Sequence, residues 1–143
     1  MNSFVLDCSV TMVWCFSDET NKISENALEK LQTDRAIVPS LWPFEVMNVL
    51  WVALRKKRLT NTQATSFITL LNALPIDIDP ISQINKRVLE LAREYTLSAY
   101  DAAYLEISLR RNIPLVTLDE SLRKAAIKSG TTLLSNTKIN EIG

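Results

Sequence analysis

Short apolar blocks ending in acids or turn residues recur along the chain, and between them run stretches with helical spacing. Phe4, Val5 and Leu6 run directly into Asp7, as a buried strand over 4–7 closing on a carboxylate would. Residues 9–16 predict a short helix. Ile23, Ala27, Leu28 and Leu31 recur at steps of three and four and predict a helix over 21–32. Ala36, Ile37 and Val38 form a second strand, stopped by Pro39. A longer helix is expected over 43–58, with Pro43 suited to its first turn. Its middle, from Val46 to Leu54, is apolar nearly all round, which calls for burial on several sides or a partner subunit.

The same reading continues to the end. A helix over 61–74 has Asn61 or Thr62 available as cap. Residues 75–79 alternate apolar and acidic, as a half-exposed edge strand does. Ile81, Ile84, Val88, Leu91 and Tyr95 trace an amphipathic helix. A helix over 102–111, a strand over 114–118, a helix over 121–129 ending at Gly130 and a last strand over 131–134 complete the set. Strands alternating with helices predict an α/β domain with a mainly parallel sheet and helices on both faces. No linker, repeat or low-complexity tract divides the chain, so residues 1–143 are read as one domain.

Composition narrows the chemistry. There is no histidine, and Gly130 and Gly143 are the only glycines. Histidine triads, histidine metal sites and glycine-rich phosphate loops are therefore excluded. Cys8 and Cys15 are too few for a disulfide framework and read as small core residues. No stretch is long and apolar enough for a membrane span, and no basic segment precedes the first apolar runs, so a cytoplasmic protein without membrane partners is expected. Sixteen basic and sixteen acidic residues cancel. Acids outnumber bases in residues 1–50, however, and bases outnumber acids afterwards.

The acids carry the functional pattern. Asp7 and Asp119 each follow an apolar strand directly, and the carboxyl ends of parallel strands share one edge of a sheet. Glu45 falls in the first turn of the helix after the second strand, inside Leu41-Trp42-Pro43-Phe44-Glu45-Val46-Met47. Asp101 begins the helix that precedes Asp119. Each acid, taken singly, is equally placed to cap a helix or complement its dipole. Taken together, acids in one pocket repel and require protons or a cation among them. Mg²⁺, a hard ion that takes oxygen ligands, suits such a set and can activate water for phosphodiester hydrolysis. Ser9 and Thr117, two residues from Asp7 and Asp119, are placed to bond the water shell of such an ion. They also read as a helix cap and an ordinary strand residue. Asn48, near Glu45 on one helix, could position a carboxylate or a water, or be a buried polar group bonded to backbone. Arg55, Lys56, Lys57 and Arg58 form the densest basic run, either a solvated helix end or a phosphate-contacting patch. Arg110-Arg111 and Arg123-Lys124 are weaker versions of it.

Four segments then resemble one family. Phe4-Val5-Leu6-Asp7-Cys8-Ser9-Val10 with Trp14 resembles the opening motif of PIN-domain nucleases. The segments around Val38–Leu50, Ser98–Glu106 and Pro114–Asp119 resemble its later motifs, in order and with all four acids present. The match is nearest to VapC-like ribonuclease toxins of VapBC toxin–antitoxin pairs. The resemblance implies a three-layer α/β/α domain with a five-stranded, mainly parallel sheet of order 3-2-1-4-5. It implies Mg²⁺ or Mn²⁺ held by Asp7, Asp101 and Asp119, with Glu45 completing the catalytic cluster. It implies endonucleolytic cleavage of RNA, inhibition of translation, a homodimer and a small antitoxin covering the site. A haloacid-dehalogenase-like phosphatase would need a second acid two residues after Asp7, where Ser9 stands. A receiver-like domain would need a lysine directly after the fifth strand, which Leu134 lacks. A PIN-fold module that binds RNA or protein without cleaving it is the remaining alternative.

Overall fold

The computed structural model describes residues 2–16, 18–81 and 84–134. Its elements follow the alternation read from the sequence: β1 (Ser3–Leu6), α1 (Cys8–Val13), α2 (Lys22–Lys30), β2 (Arg35–Val38), α3 (Trp42–Arg55), α4 (Asn61–Ala73), β3 (Ile76–Ile78), α5 (Lys86–Tyr95), α6 (Ala99–Arg111), β4 (Leu115–Val116) and α7 (Glu120–Lys128). The strands pair in parallel in the order β3-β2-β1-β4. Helices α1 to α4 contact one another in succession of α2, α1, α3 and α4, while α5, α6 and α7 form a second packed group with α6 against β1 and β4. This is the α/β arrangement with a parallel sheet that the alternation predicts.

The fifth strand is the main departure. Among the described residues only Leu133 bridges to Leu115, in parallel. The Leu115 N–H donates to Thr132 O at 2.9 Å and the Leu134 N–H donates to Leu115 O at 2.8 Å. The segment thus sits on the outer edge of β4, where order 3-2-1-4-5 puts it. Strand β4 spans only two residues, and among the described residues a single bridge forms in place of a ladder and the regular sheet has four strands, not five.

The centre of the sheet is dry. Phe4, Val5, Leu6, Leu115 and Val116 are all buried, as expected where both faces of a parallel sheet are covered. Several helix starts differ from the pattern reading: α6 begins at Ala99, three residues ahead of the expected 102, and α4 and α5 differ at their caps. The cap of α4 is Thr60, whose hydroxyl accepts the Gln63 N–H while Gln63 Oε1 accepts the Thr60 N–H, a reciprocal capping box. Helix α5 begins only at Lys86, capped by Asn85, so Ile81 and Ile84 precede it despite their helical spacing. Strand-like alternation over 75–79 shortens to Ile76–Ile78, and Asp79 beyond it turns inward. Its buried carboxylate accepts bonds from Arg110 Nη2 and Arg111 Nε, each at 2.8 Å, and from the Ile81 N–H at 3.0 Å. Burial alone would raise the Asp79 carboxyl, but these donors outweigh it and hold it below the usual carboxylate range. Arg110 also bonds Glu106. The Arg110-Arg111 pair is therefore an internal ion network and not a free basic patch.

Candidate active site

Asp7, Glu45, Asp101 and Asp119 line one open cleft of about 440 Å³. Strand β1 delivers Asp7 to the carboxyl edge of the sheet, β4 and the turn after it deliver Asp119, and the first turns of α3 and α6 deliver Glu45 and Asp101. Each arrives for a local reason. The side chain of Ser98 caps α6 by accepting the Asp101 N–H at 3.1 Å. The carboxylate of Asp119 is itself the cap of α7, accepting the Leu122 N–H at 2.8 Å. Asp7 occupies the cap position of α1, yet its side chain makes no capping bond. The cap reading thus accounts for Asp119 and fails for Asp7.

Asp7 is instead gripped from both sides. Its Oδ2 accepts the Ser9 hydroxyl at 2.6 Å and the Thr117 hydroxyl at 2.7 Å. Those hydroxyls in turn accept the N–H groups of Leu118 and Asp119, each at 3.0 Å. Ser9 and Thr117 therefore orient a carboxylate directly, whereas the sequence suggested bonds to a water shell. Asn48 does not join the site: it is exposed, and Val49, one residue further along α3, lines the cleft in its place. Arg55 stacks on Trp51 with its guanidinium carbon 5.8 Å from the ring centroid. Of the basic run only Arg58 lines the cleft.

Sequence reasoning missed Tyr104. This fully buried residue lies one helical step beyond Asp101 and donates its hydroxyl to Glu45 Oε1. Its place in the Asp101 motif was the available signal. It also overlooked Phe16 and Glu19, which close the far wall of the cleft beside Arg58.

The electrostatics follow from this packing. Desolvation is the largest influence raising the Asp7 carboxyl, the Ser9 and Thr117 hydroxyls oppose it, and the Asp119 charge adds to it. Burial also raises Glu45, the Tyr104 bond opposes it, and the charges of Asp7 and Asp101 reinforce it. Asp101 is pushed up to about 6 by desolvation and then by Asp119 and Asp7. Burial beside Glu45 and Asp7 lifts the Cys8 thiol to about 12, which keeps it protonated and unreactive at neutral pH. Three carboxyls shifted toward the neutral form by burial and mutual repulsion are a site short of positive charge.

An all-oxygen donor set of this kind fits a hard divalent cation. Among the described residues no three acids close into a ready coordination cluster. Mg²⁺ tolerates that spacing, since it keeps several waters and engages one or two carboxylates together with substrate phosphates. Asp7, Asp101 and Asp119, with Glu45 beside them, are the residues that would hold it.

The chain resembles the crystal structure of PAE2754 from Pyrobaculum aerophilum, with a TM-score of 0.66 and 22% identity over 87% of this chain and 79% of that one. It resembles VapBC2 from Rickettsia felis bound to a DNA fragment from its promoter, with a TM-score of 0.62 and 15% identity over 86% and 92% of the two chains. It also resembles a toxin–antitoxin complex from Klebsiella pneumoniae, with a TM-score of 0.57 and 24% identity over 80% and 85%. No curated protein sequence matches. The PIN domain family model matches residues 4–128, from the first strand through α7, and the chain belongs to the PIN domain family.

Proposed function

We propose that the protein is a metal-dependent endoribonuclease and the toxin of a toxin–antitoxin pair. The observation that carries the nuclease reading is the cleft itself: four carboxylates, three of them raised, with no histidine or reactive thiol to supply another chemistry. A bound Mg²⁺ or Mn²⁺ would supply Lewis acidity toward water and a phosphoryl oxygen. The chain's own part is to hold the ligands: Ser9 and Thr117 fix Asp7, Tyr104 fixes Glu45, and the starts of α6 and α7 fix Asp101 and Asp119. Glu45 is the remaining carboxylate placed to accept a proton from attacking water.

Toxin–antitoxin assemblies among the similar structures support a small antitoxin protein as partner; inhibition of translation is the outcome expected if the RNA cleaved serves protein synthesis. The exposed apolar residues of α3 support a homodimer. A cytoplasmic location accords with an RNA substrate, and no helix of the described residues is long and apolar enough to cross a membrane. The spacing of the acids short of a closed ligand set is the observation that favours the non-catalytic RNA- or protein-binding module.

Incubating purified protein with structured RNA in Mg²⁺, in Mn²⁺ and in chelator decides between them. The nuclease reading expects discrete cleavage products that need the metal and vanish in Asp101→Asn. Binding without cleavage in every metal would refute it.

A further inference from the structure

A cleft walled by four carboxylates repels a polyanion, so a nucleic acid entering it needs a cation already in place. Among the described residues lining that cleft, Arg58 is the one cation. We infer that Arg58 is a preset clamp for a backbone phosphate of the substrate, and that Glu19 is its internal competitor, which the phosphate displaces. The inference rests on the nucleic-acid substrate proposed above.

Arg58 is held where it stands by three independent features. Helix α3 ends in a Schellman turn: Lys57 adopts φ 59°, its N–H bonds Leu54 O at 3.0 Å, and the Arg58 N–H bonds Ala53 O at 2.8 Å. That turn sends the chain back so that Arg58 reaches the wall formed by the segment after α1. There the guanidinium carbon lies 3.7 Å from the ring centroid of buried Phe16, a stacked cation–π contact. Its Nη2 donates to Glu19 Oε2 and, at 3.3 Å, to Asp18 Oδ1. Both bonds use one nitrogen. Nε and Nη1 have no partner among the described residues, so donors of the planar fork remain for a second anion.

The two acids are unequal partners. Glu19 lines the cleft with Arg58, whereas Asp18 does not and is the more exposed side chain of the two. A phosphate approaching the free donors therefore meets the Glu19 charge first. Exchange of Glu19 for phosphate on a guanidinium already stacked and oriented costs little ordering, because the arginine does not have to be recruited from solvent. The arrangement admits polyanions that offer a well-placed phosphate and weakens the rest.

A brace reading makes a different claim: Arg58 merely ties the end of α3 to the segment after α1. The two readings give opposite signs for Glu19. Under the brace, Glu19→Gln weakens the molecule as Arg58→Ala does. Under the clamp, Glu19→Gln removes the competitor and tightens nucleic-acid binding, but only while Arg58 is present.

The test is fluorescence anisotropy of a short labelled single-stranded RNA in calcium buffer over a salt series, with the RNA checked for integrity. Wild type, Arg58→Ala, Glu19→Gln and the double variant are compared. Arg58→Ala is expected to weaken binding about tenfold and to lower the slope of log affinity against log salt by about one. Glu19→Gln is expected to tighten binding several-fold, and that gain should disappear in the double variant. Unchanged affinity in Arg58→Ala, weakening in Glu19→Gln, a Glu19→Gln gain that survives without Arg58, or a wild type that does not bind would each overturn the clamp. Cleavage plays no part in this readout. A wild type that binds as described but never cleaves would sink the nuclease proposal and leave the clamp standing.

Discussion

The Thr117 hydroxyl donates to Asp7 Oδ2, 110 residues away in sequence, at 2.7 Å and accepts the Asp119 N–H at 3.0 Å, so one side chain couples two acids of the cleft. Thr117 is buried. Removing the hydroxyl leaves Asp7, itself buried, with the Ser9 hydroxyl as its remaining side-chain donor. Thr117→Val keeps the shape of the residue and deletes both bonds. It is expected to cost about 1–3 kcal/mol of stability, the range for orphaning a buried polar group. Cleavage should fall about 10–100-fold, as when an outer partner of a metal ligand is lost. Thr117→Ser should recover most of both. Thermal melting and cleavage rates check this, and wild-type activity in Thr117→Val would show that Asp7 needs no such hold.

The pH dependence of stability follows from the raised carboxyls. Asp101 has an ordinary value of 3.8 and stands at about 6 in the fold. A group that binds its proton more tightly when folded stabilises the fold at low pH, and that contribution is lost as pH rises through the folded value. Asp7 and Glu45 act in the same direction. Asp79 acts in the other: its lowered carboxyl stabilises above the ordinary range and ceases to as pH falls. Metal-free protein is therefore expected to melt at a higher temperature near pH 4–5 than near pH 7, by the linkage of charge to folding. Mg²⁺ should remove most of that decline, and Asp101→Asn should flatten it without metal. Parallel melting-versus-pH curves for wild type and Asp101→Asn would contradict the mutual repulsion described for the cleft.

The acids were legible in the sequence because each stands at a position the backbone dictates. Asp7 and Asp119 end apolar strands, and Glu45 and Asp101 fall in first turns of helices, so strand order alone brings them to one edge. What the sequence did not show depends on loops and on long reach. The partnership of Arg58 with Glu19 joins two connecting segments that no periodicity aligns. Lys57 takes a left-handed conformation where glycine is the usual resident, so no glycine marked the turn that aims Arg58. Tyr104 reads as an ordinary apolar position of α6; its place in the Asp101 motif marks it, but its hydroxyl bond to Glu45 on α3 is visible only in the fold. For Ser9 and Thr117 the direct bonds to Asp7 are seen only in the fold, since spacing tells which side chains are near and not which oxygen they meet.

The apolar middle of the 43–58 segment predicted a partner for that helix, and the fold sharpens where it would bind. Phe44 is 77% exposed, Trp51 56% and Met47 42%. These residues lie at steps of three and four, on one stripe of α3, while Val46, Leu50 and Ala53 face the core. A two-fold dimer that pairs this stripe with its copy would remove it from water. Trp51→Glu should shift the mass seen by light scattering from dimer to monomer and leave the folded monomer intact. A wild-type monomer at working concentration would exclude the stripe as a self-contact.

Asp7 and Asp119 allow the sharpest separation of site from scaffold, because they share the cleft but differ in what else they do. Asp119 caps α7 through the Leu122 N–H, whereas Asp7 makes no capping bond and is desolvated among other acids. Asp7→Asn keeps the volume and the acceptor for Ser9 and Thr117 while deleting a charge that burial and Asp119 both oppose. Metal-free Asp7→Asn is therefore expected to melt above wild type. Under the proposed metal-dependent cleavage, its activity in Mg²⁺ should fall by several orders of magnitude, since a bound ion would lose a ligand. Asp119→Ala should lose cleavage too, but its stability should move the other way, falling by about 0.5–2 kcal/mol with the cap. Two acids of one cleft thus affect activity alike and stability with opposite sign. A scaffold made only of helix caps predicts that Asp7→Asn changes neither, because asparagine caps about as well as aspartate. Melting curves in chelator and cleavage rates in Mg²⁺, measured for both variants beside wild type, separate the two accounts. Wild-type cleavage by Asp7→Asn, or a melting temperature below that of wild type, would remove Asp7 from the centre of the site.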